Sequence, residues 1–481
     1  MNSARAVRAL LGVVAVLGGC TVGPQYVPPT PTAGATAPLV STNRAAEVVT
    51  DPRDDWWELY HDALLDRLLM EAFRANTDLR IAAANLSASR AALEFARNGL
   101  YPQTGTGLGA VHGRDPVTDE ILELGGHPPE SVWIYDAILD VSYEVDLFGH
   151  VRRSIEAAHA DAEATTAARD RIKITVAAET ARAYAQICAL GEQLAVARHS
   201  LDVVRREAQI AARRNEAGAG SQFDVVRAER LVAQVGASIP PLEGQRRTAI
   251  FELTALLGRT PSNAPADVER CEAPPQLSEP IPVGDGATLL KRRPDVRQAE
   301  RRLAAETARV GVATADLYPR ITLSGFYGGV GSEFNQLTNN QGLAWGFGPS
   351  IHWAFPNQAG PRAAVRQAQA NAVAALAIFD EVVLQALKET EQELARYGAE
   401  LDHRQALAEA QNKAQQGFNI AHDQYLAGAA SSLDLLYSEQ VLVEADAAVA
   451  ASDATLVNEQ ISVFKALGGG WRKTDSPPAS S

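Results

Sequence analysis

The chain is 481 residues long and 46% hydrophobic, yet only 6% aromatic, a balance that points to alanine-rich helix. Its net charge is −14, and removing residues 1–19 takes away only Arg5 and Arg8 and leaves −16, so the chain repels nucleic-acid phosphates; nucleic acid is excluded as a partner, and a cation-tolerant surface or tunnel stays open. No uninterrupted run of about eighteen apolar residues occurs, so no helix is expected to cross a bilayer, and the histidines and cysteines fall in no metal-ligand spacing, so no metal or cofactor is expected.

Residues 1–19 carry Arg5 and Arg8 and then the short apolar run Ala9 to Leu17, the pattern of a secretory signal peptide. The run ends Leu17-Gly18-Gly19-Cys20, which resembles the lipobox of bacterial lipoproteins. That resemblance implies that Cys20 becomes a lipidated N-terminus and, with Thr21 rather than Asp after it, that the protein is sorted to the outer membrane. Several acyl chains on one residue anchor firmly, at about 0.8 kcal/mol per buried methylene. Residues 20–50 include Pro24, Pro28, Pro29, Pro31 and Pro38, and read as an extended tether. In 51–100, Asp54-Asp55-Trp56-Trp57 opens a helical pattern with Leu64, Leu65, Leu68, Leu69 and Phe73 on one side, and Asn76-Thr77-Asp78 can cap a second helix reaching about Asn98.

Residues 101–148 switch to strand period. Trp133, Tyr135, Ala137, Leu139, Val141 and Tyr143 alternate with Ile134, Asp136, Ile138, Asp140 and Ser142. Gly105, Gly107 and Gly109 spell GxGxG, but Leu100-Tyr101-Pro102 precedes them and no helix pattern follows, which rules out a dinucleotide site. Within 149–258, Gly149 to about Glu216 is one helix, which at about 1.5 Å per residue reaches roughly 100 Å. Ala217-Gly218-Ala219-Gly220 ends it, Ser221 and Asp224 cap a return helix, and Pro240-Pro241 should kink or break that helix. Residues 259–286 form a Pro-rich linker that holds Cys271; Cys188 lies in the long helix, and nothing in the sequence supports pairing the two. Residues 287–316 are helical from Arg292-Arg293-Pro294-Asp295.

Residues 317–357 return to strand period, with Leu343, Trp345, Phe347, Pro349, Ile351 and Trp353 on one face. Pro349 lacks an amide hydrogen, so the strand is expected to bulge or end there. Residues 358–467 form a second long helical hairpin that turns at Ala427 to Ala430, with Ser431 and Asp434 as its cap, and 468–481 are a loose tail. Leu100-Tyr101-Pro102 answers Leu317-Tyr318-Pro319, and Ala217-Gly218-Ala219 with Ser221 and Asp224 answers Ala427-Gly428-Ala429 with Ser431 and Asp434. The chain is a tandem duplication of short helix, β-hairpin and long helical hairpin. Four membrane-type strands leave open edges that lipid does not tolerate, so the chain must oligomerise, and strand counting does not choose between two copies and three.

These residues resemble the TolC-like outer-membrane factor family, in particular its lipoprotein branch. The carriers are Cys20-Thr21-Val22-Gly23-Pro24 with Tyr26 and Pro28, Asp55-Trp56-Trp57-Glu58-Leu59, Asn76-Thr77-Asp78-Leu79, Asp146-Leu147-Phe148-Gly149, Arg292-Arg293-Pro294-Asp295-Val296-Arg297, and the two Leu-Tyr-Pro elements. The resemblance implies a mainly α fold with a membrane β-barrel portion: tandem long helical hairpins forming a trimeric periplasmic α-barrel continuous with a 12-stranded β-barrel, four strands per chain. It implies no catalytic activity. It implies an exit duct of a tripartite efflux system, a homotrimer partnered by a periplasmic adaptor (membrane fusion) protein, an inner-membrane resistance-nodulation-division pump and outer-membrane lipid. A type I protein-secretion duct and a structural periplasmic coiled-coil lipoprotein are the alternatives. Phe355-Pro356-Asn357-Gln358-Ala359-Gly360-Pro361-Arg362 departs from the family's usual Gly-Gly-Arg approach to the long helix.

By motif position the resemblance implies a periplasmic gate at Asp224, Tyr425, Leu433 and Asp434, and adaptor contacts at Gly218, Gly220, Ser221, Gly428 and Ser431. Three copies of a carboxylate round an axis favour cations and can be tied or released by small helix rotations. Capping alone also accounts for Asp224 and Asp434. The sequence leaves capping alone and capping with gating both open.

Overall fold

The computed structural model describes residues 21–41, 47–48, 50–114, 124, 131–277 and 279–469. The signal segment, Cys20, most of the loop between the first two long strands and the tail from 470 lie outside them. The helices are α1 (Ala63–Ala75), α2 (Thr77–Asn98), α3 (His150–Glu216), α4 (Gln222–Ala237), α5 (Ile239–Leu256), α6 (Gly286–Arg292), α7 (Pro294–Ala315), α8 (Ala359–Leu426) and α9 (Ser432–Ala466). The strands are β1 (Glu47–Val48), β2 (Gln103–Gly113), β3 (Val132–Val145), β4 (Ile281–Pro282), β5 (Arg320–Gly331) and β6 (Leu343–His352). Two compact units divide the chain, one of residues 1–29, 86–165 and 299–379, the other of residues 30–85, 166–298 and 380–481.

The second unit is helical and owes its core to the tryptophan motif. Trp56 is fully buried and stacks on Phe464 at 4.8 Å, with Trp57 and Tyr60 edge-on to it. Leu65, Leu68, Leu69, Ile187, Leu253, Leu289 and Leu394 close the same cluster. Full burial of each such side chain stabilises by about 1.5–3 kcal/mol. Asp62 caps α1 through Leu64 N and Leu65 N and also accepts the Tyr184 hydroxyl at 2.7 Å. Asn76 caps α2 by accepting from Asp78 N and Leu79 N. The linker returns to the tether as a parallel pair, β1 with β4.

Two features of this unit go beyond the sequence reading. Cys188 and Cys271 form a disulfide, which fastens the Pro-rich linker to α3. Arg293 is 8% exposed; it donates to Ala466 O at the end of α9 at 2.8 Å and pairs with Asp295 and Glu389, each at 2.7 Å. The motif therefore closes the last turn of one helix while Pro294 starts another. The first two tail residues are also ordered, since Gly468 N and Gly469 N cap α9 on Lys465 O and Phe464 O.

The first unit carries a four-stranded antiparallel sheet in the order β2-β3-β5-β6. Each half of the duplication supplies a hairpin, and β3 joins them by pairing with β5 from Tyr135↔Gly331 to Val145↔Ile321. Pro349 neither bulges nor ends β6: it stands opposite Leu323 in an unbroken register. The two strand-to-helix turns differ. Asp146 caps α3 through Val151 N and Arg152 N, whereas before α8 Asn357 accepts from Ala359 N and Gln358 donates to Leu317 O, after a cis Phe355–Pro356 bond.

By length and composition alone, α8 (Ala359–Leu426) contains a stretch apolar enough to cross a membrane. Asp380 and Glu381 interrupt the run, so counting consecutive apolar residues passes over it. Val373 (69%), Ile378 (50%) and Leu384 (55%) stay exposed, without cover among the described residues.

Two changes test these supports. Arg293→Met removes the ion pair to Glu389 and leaves Ala466 O with the Thr390 hydroxyl as its side-chain donor, and is expected to lower stability by about 1–3 kcal/mol in denaturant unfolding, with Arg293→Lys recovering part. Cys188→Ser with Cys271→Ser is expected to cost about 2–4 kcal/mol, and reductant should lower the melting temperature of the parent but not of that variant.

Candidate functional site

The turns of the two helical hairpins are built alike. Gly218 (φ +74°) and Gly428 (φ +75°) take the left-handed conformation, and the next residues donate back, Ala219 N to Arg214 O and Ala429 N to Gln424 O, each at 2.8 Å. Both return helices open with a complete capping box: Asp224 N donates to Ser221 Oγ and Asp434 N to Ser431 Oγ, each at 3.2 Å, and each carboxylate accepts its serine's N–H in return. Gly218, Gly220, Ser221, Gly428 and Ser431 are all exposed.

The duplicated aspartates then part company. The second oxygen of Asp224, Oδ1, accepts the Ser432 hydroxyl at 2.8 Å and ties the two return helices together. Asp434 serves its own cap and makes no such tie among the described residues. Serine hydrogen bonds hold both carboxyls below the ordinary range, Ser221 first and Ser432 next at Asp224, and Ser431 at Asp434. Tyr425 is buried (7% exposed) with the Arg214 guanidinium 4.6 Å above its ring, and no described residue hydrogen bonds its hydroxyl. Leu433 and Tyr437 are exposed, as is Phe223, whose ring lies under Arg227 at 5.3 Å. The structure thus brings Asp224 together with the residue between Ser431 and Leu433, and gives Tyr425 a cationic partner that the sequence did not suggest.

The second constellation is the sheet. β2, β3, β5 and β6 are 11, 14, 12 and 10 residues long, at or above the roughly 9–11 that a tilted strand needs to cross a bilayer. Register puts Leu139, Val141, Tyr143, Leu323, Tyr327, Trp345, Phe347 and Ile351 on one apolar face. Asp136, Asp140 and Glu144 alternate onto the other. Stacked Trp133 and Tyr135 bound one rim, and the stacked pairs Phe148–Tyr318 and Trp353–Phe355 the opposite one, as aromatic girdles do at membrane interfaces. Two glycines of GxGxG make room here: Gly105 and Gly109 face Asp140 and Asp136 across the ladder, and a Cβ on either would meet the carboxylate, whereas one on Gly107 would meet open space.

Beside the sheet, the segment after Cys20 is clipped to the same unit. Val22 N donates to Phe148 O at 3.1 Å, and the Tyr26 hydroxyl donates to Glu300 at 3.0 Å while Arg301 covers its ring.

A sheet with one apolar face, aromatic rims and two long helical hairpins is matched by a family model, outer membrane efflux protein, over residues 68–259 and 287–469. The chain belongs to the outer membrane efflux protein family. It is 30% identical over 466 residues to the toluene efflux pump outer membrane protein TtgC of Pseudomonas putida, covering 95% of this chain and 94% of that one. It is 28% identical over 484 residues to nodulation protein T of Rhizobium leguminosarum bv. viciae, covering 100% of this chain and 97% of that one. The outer-membrane channel OprN superposes with a TM-score of 0.86 at 33% identity, over 94% of this chain and 100% of that one. This family member is accordingly an outer-membrane efflux channel, in a family of channels rather than enzymes.

The Asp224–Ser432 tie generates a prediction. Ser432→Ala removes the tie and leaves both capping boxes whole, so single-channel recording in planar bilayers should show a rise of up to roughly tenfold in open probability. Tyr425→Phe keeps the ring under Arg214 and should change nothing, whereas Tyr425→Leu should act like Ser432→Ala. A parent-like open probability in Ser432→Ala would remove the tie from gating.

Proposed function

We propose that this chain acts as a trimer, the passive outer-membrane exit duct of a tripartite efflux system. The observation that carries the reading is the four-stranded sheet with an apolar face and two open edges. Three copies joined edge to edge give twelve strands and close the wall, and the acidic faces of three β3 strands then line a lumen that tolerates cations. The exposed glycine turns are the surface offered to a periplasmic adaptor, and the energy comes from an inner-membrane pump of the resistance-nodulation-division type. Asp224, with Ser432, closes the periplasmic end together with Tyr425 and Leu433. Asp434 has the narrower task of holding its helix start.

Acylation of Cys20 belongs to the same reading. Its support is the clip at Val22 to Tyr26, which holds the residue after Cys20 beside Gly149, at the end of β3 and next to an aromatic rim. Acyl chains starting there enter the bilayer without stretching the tether.

The test is made on the full chain in outer membranes. Extraction should require detergent and yield a heat-modifiable trimer, and Cys20→Ser should abolish palmitate incorporation while the trimer persists. A Cys20→Ser protein that is monomeric and soluble without detergent would sink the duct; palmitate retained in that variant would sink the anchor.

A further inference from the structure

The seam that packs α9 against α3 and α4 contains two carboxylates among apolar contacts. Leu201 and Val204 of α3 with Leu231 and Val235 of α4 form its buried centre, and Leu436 and Val443 of α9 pack onto them. Glu439 falls between Leu436 and Val443 at helical spacing, on the same stripe of α9. It is 1% exposed, and neither carboxylate oxygen has a hydrogen-bond partner among the described residues. Glu207 follows Val204 by three residues on α3 and is 9% exposed.

The charged groups facing the pair are few. Glu439 feels Glu207 and no cation, while Glu207 feels Arg206 on its own helix and His422 on α8. From α4, the charged residues Arg227, Glu229 and Arg230 act on neither carboxylate. An ionised carboxylate without a partner is strongly disfavoured in such a seam, and two facing each other more so. Asp224 and Ser432 stand at the starts of the same two return helices, so whatever loosens α9 from α3 acts on the tie already described.

We propose that Glu207 and Glu439 form a proton-held latch: a proton on Glu439 keeps α9 seated on α3, and its release to water loosens the seam and favours opening at the turns. The proposal deepens the gate reading above and rests on it. Burial first, and the Glu207 charge second, push Glu439 up to about 8, and burial raises Glu207 as well. A carboxyl raised in the closed seam and ordinary in a wet, open one holds a proton when closed that it loses on opening. Each pH unit between about 4.5 and about 8 therefore shifts the balance toward opening by up to about tenfold per protomer. Above that range both states are ionised and the trend levels; acid closes the latch.

Planar-bilayer recording of the full-length trimer across that pH range tests this. The parent is expected to open progressively as pH rises and then level, whereas Glu439→Gln should stay at its acid level throughout. Glu207→Gln removes the like charge and should move the midpoint to lower pH. A flat parent profile, or a Glu439→Gln profile identical to the parent's, overturns the latch. A response abolished by a chelator also overturns it, as the mark of a divalent-cation bridge. Ser432→Ala separates the two readings: if it raises opening at acid pH while Glu439→Gln leaves the profile intact, the gate stands and the latch falls. If Ser432→Ala has no effect, thermal melting in detergent decides. A melting temperature that falls with rising pH in the parent but not in Glu439→Gln upholds the latch without the gate, and equal falls overturn it.

Discussion

Backbone N–H and C=O groups at a sheet edge have no water to bond inside a bilayer, and the rest of this molecule follows from that constraint. β2 and β6 each have one neighbour within the chain, while the face between them is apolar and rimmed by aromatic rings. On the proposed reading, copies of the chain finish such a sheet and meet the uncovered apolar residues of α8. The lumen and its closure follow from that proposed assembly.

Duplication supplied the two halves, and small differences between them divide the labour. Both turns use the same glycine and the same capping box because ending one helix and starting another poses the same backbone problem twice. Only one of the two carboxylates has a second oxygen engaged across the hairpins, since Ser432 comes within reach of Asp224. The strand-to-helix corners diverged further: an aspartate cap serves one, and an asparagine with a glutamine bond to Leu317 O serves the other. The departure from the family pattern at Phe355 to Arg362 is therefore a different solution to the same corner.

Much of this was legible before any coordinates. Strand period at Trp133 to Tyr143 and at Leu343 to Trp353, the long alanine-rich runs and the Ser–Asp spacing all report local backbone preferences, which short-range sequence encodes directly. Glu439 also left a trace, a carboxylate at a stripe position between Leu436 and Val443, but a stripe position does not reveal which helix will cover it. Arg214 over Tyr425, Arg293 on the end of α9 and the Cys188–Cys271 bond left none, because each joins residues that only folding brings together.

The sequence by itself determined the element types and the duplication, since these depend on periodicity, composition and the reach of neighbouring residues. Tertiary structure decided which strand of one repeat meets which of the other, that Gly105 and Gly109 leave room for the Asp140 and Asp136 carboxylates, and that of the two capping aspartates Asp224 is the one that reaches the other hairpin among the described residues. It also decided that Pro349 keeps its register opposite Leu323. The physical reason is common to all of them. A side chain's chemistry belongs to its own position, but its charge state, its neighbours and the cost of its burial are set by elements hundreds of residues away.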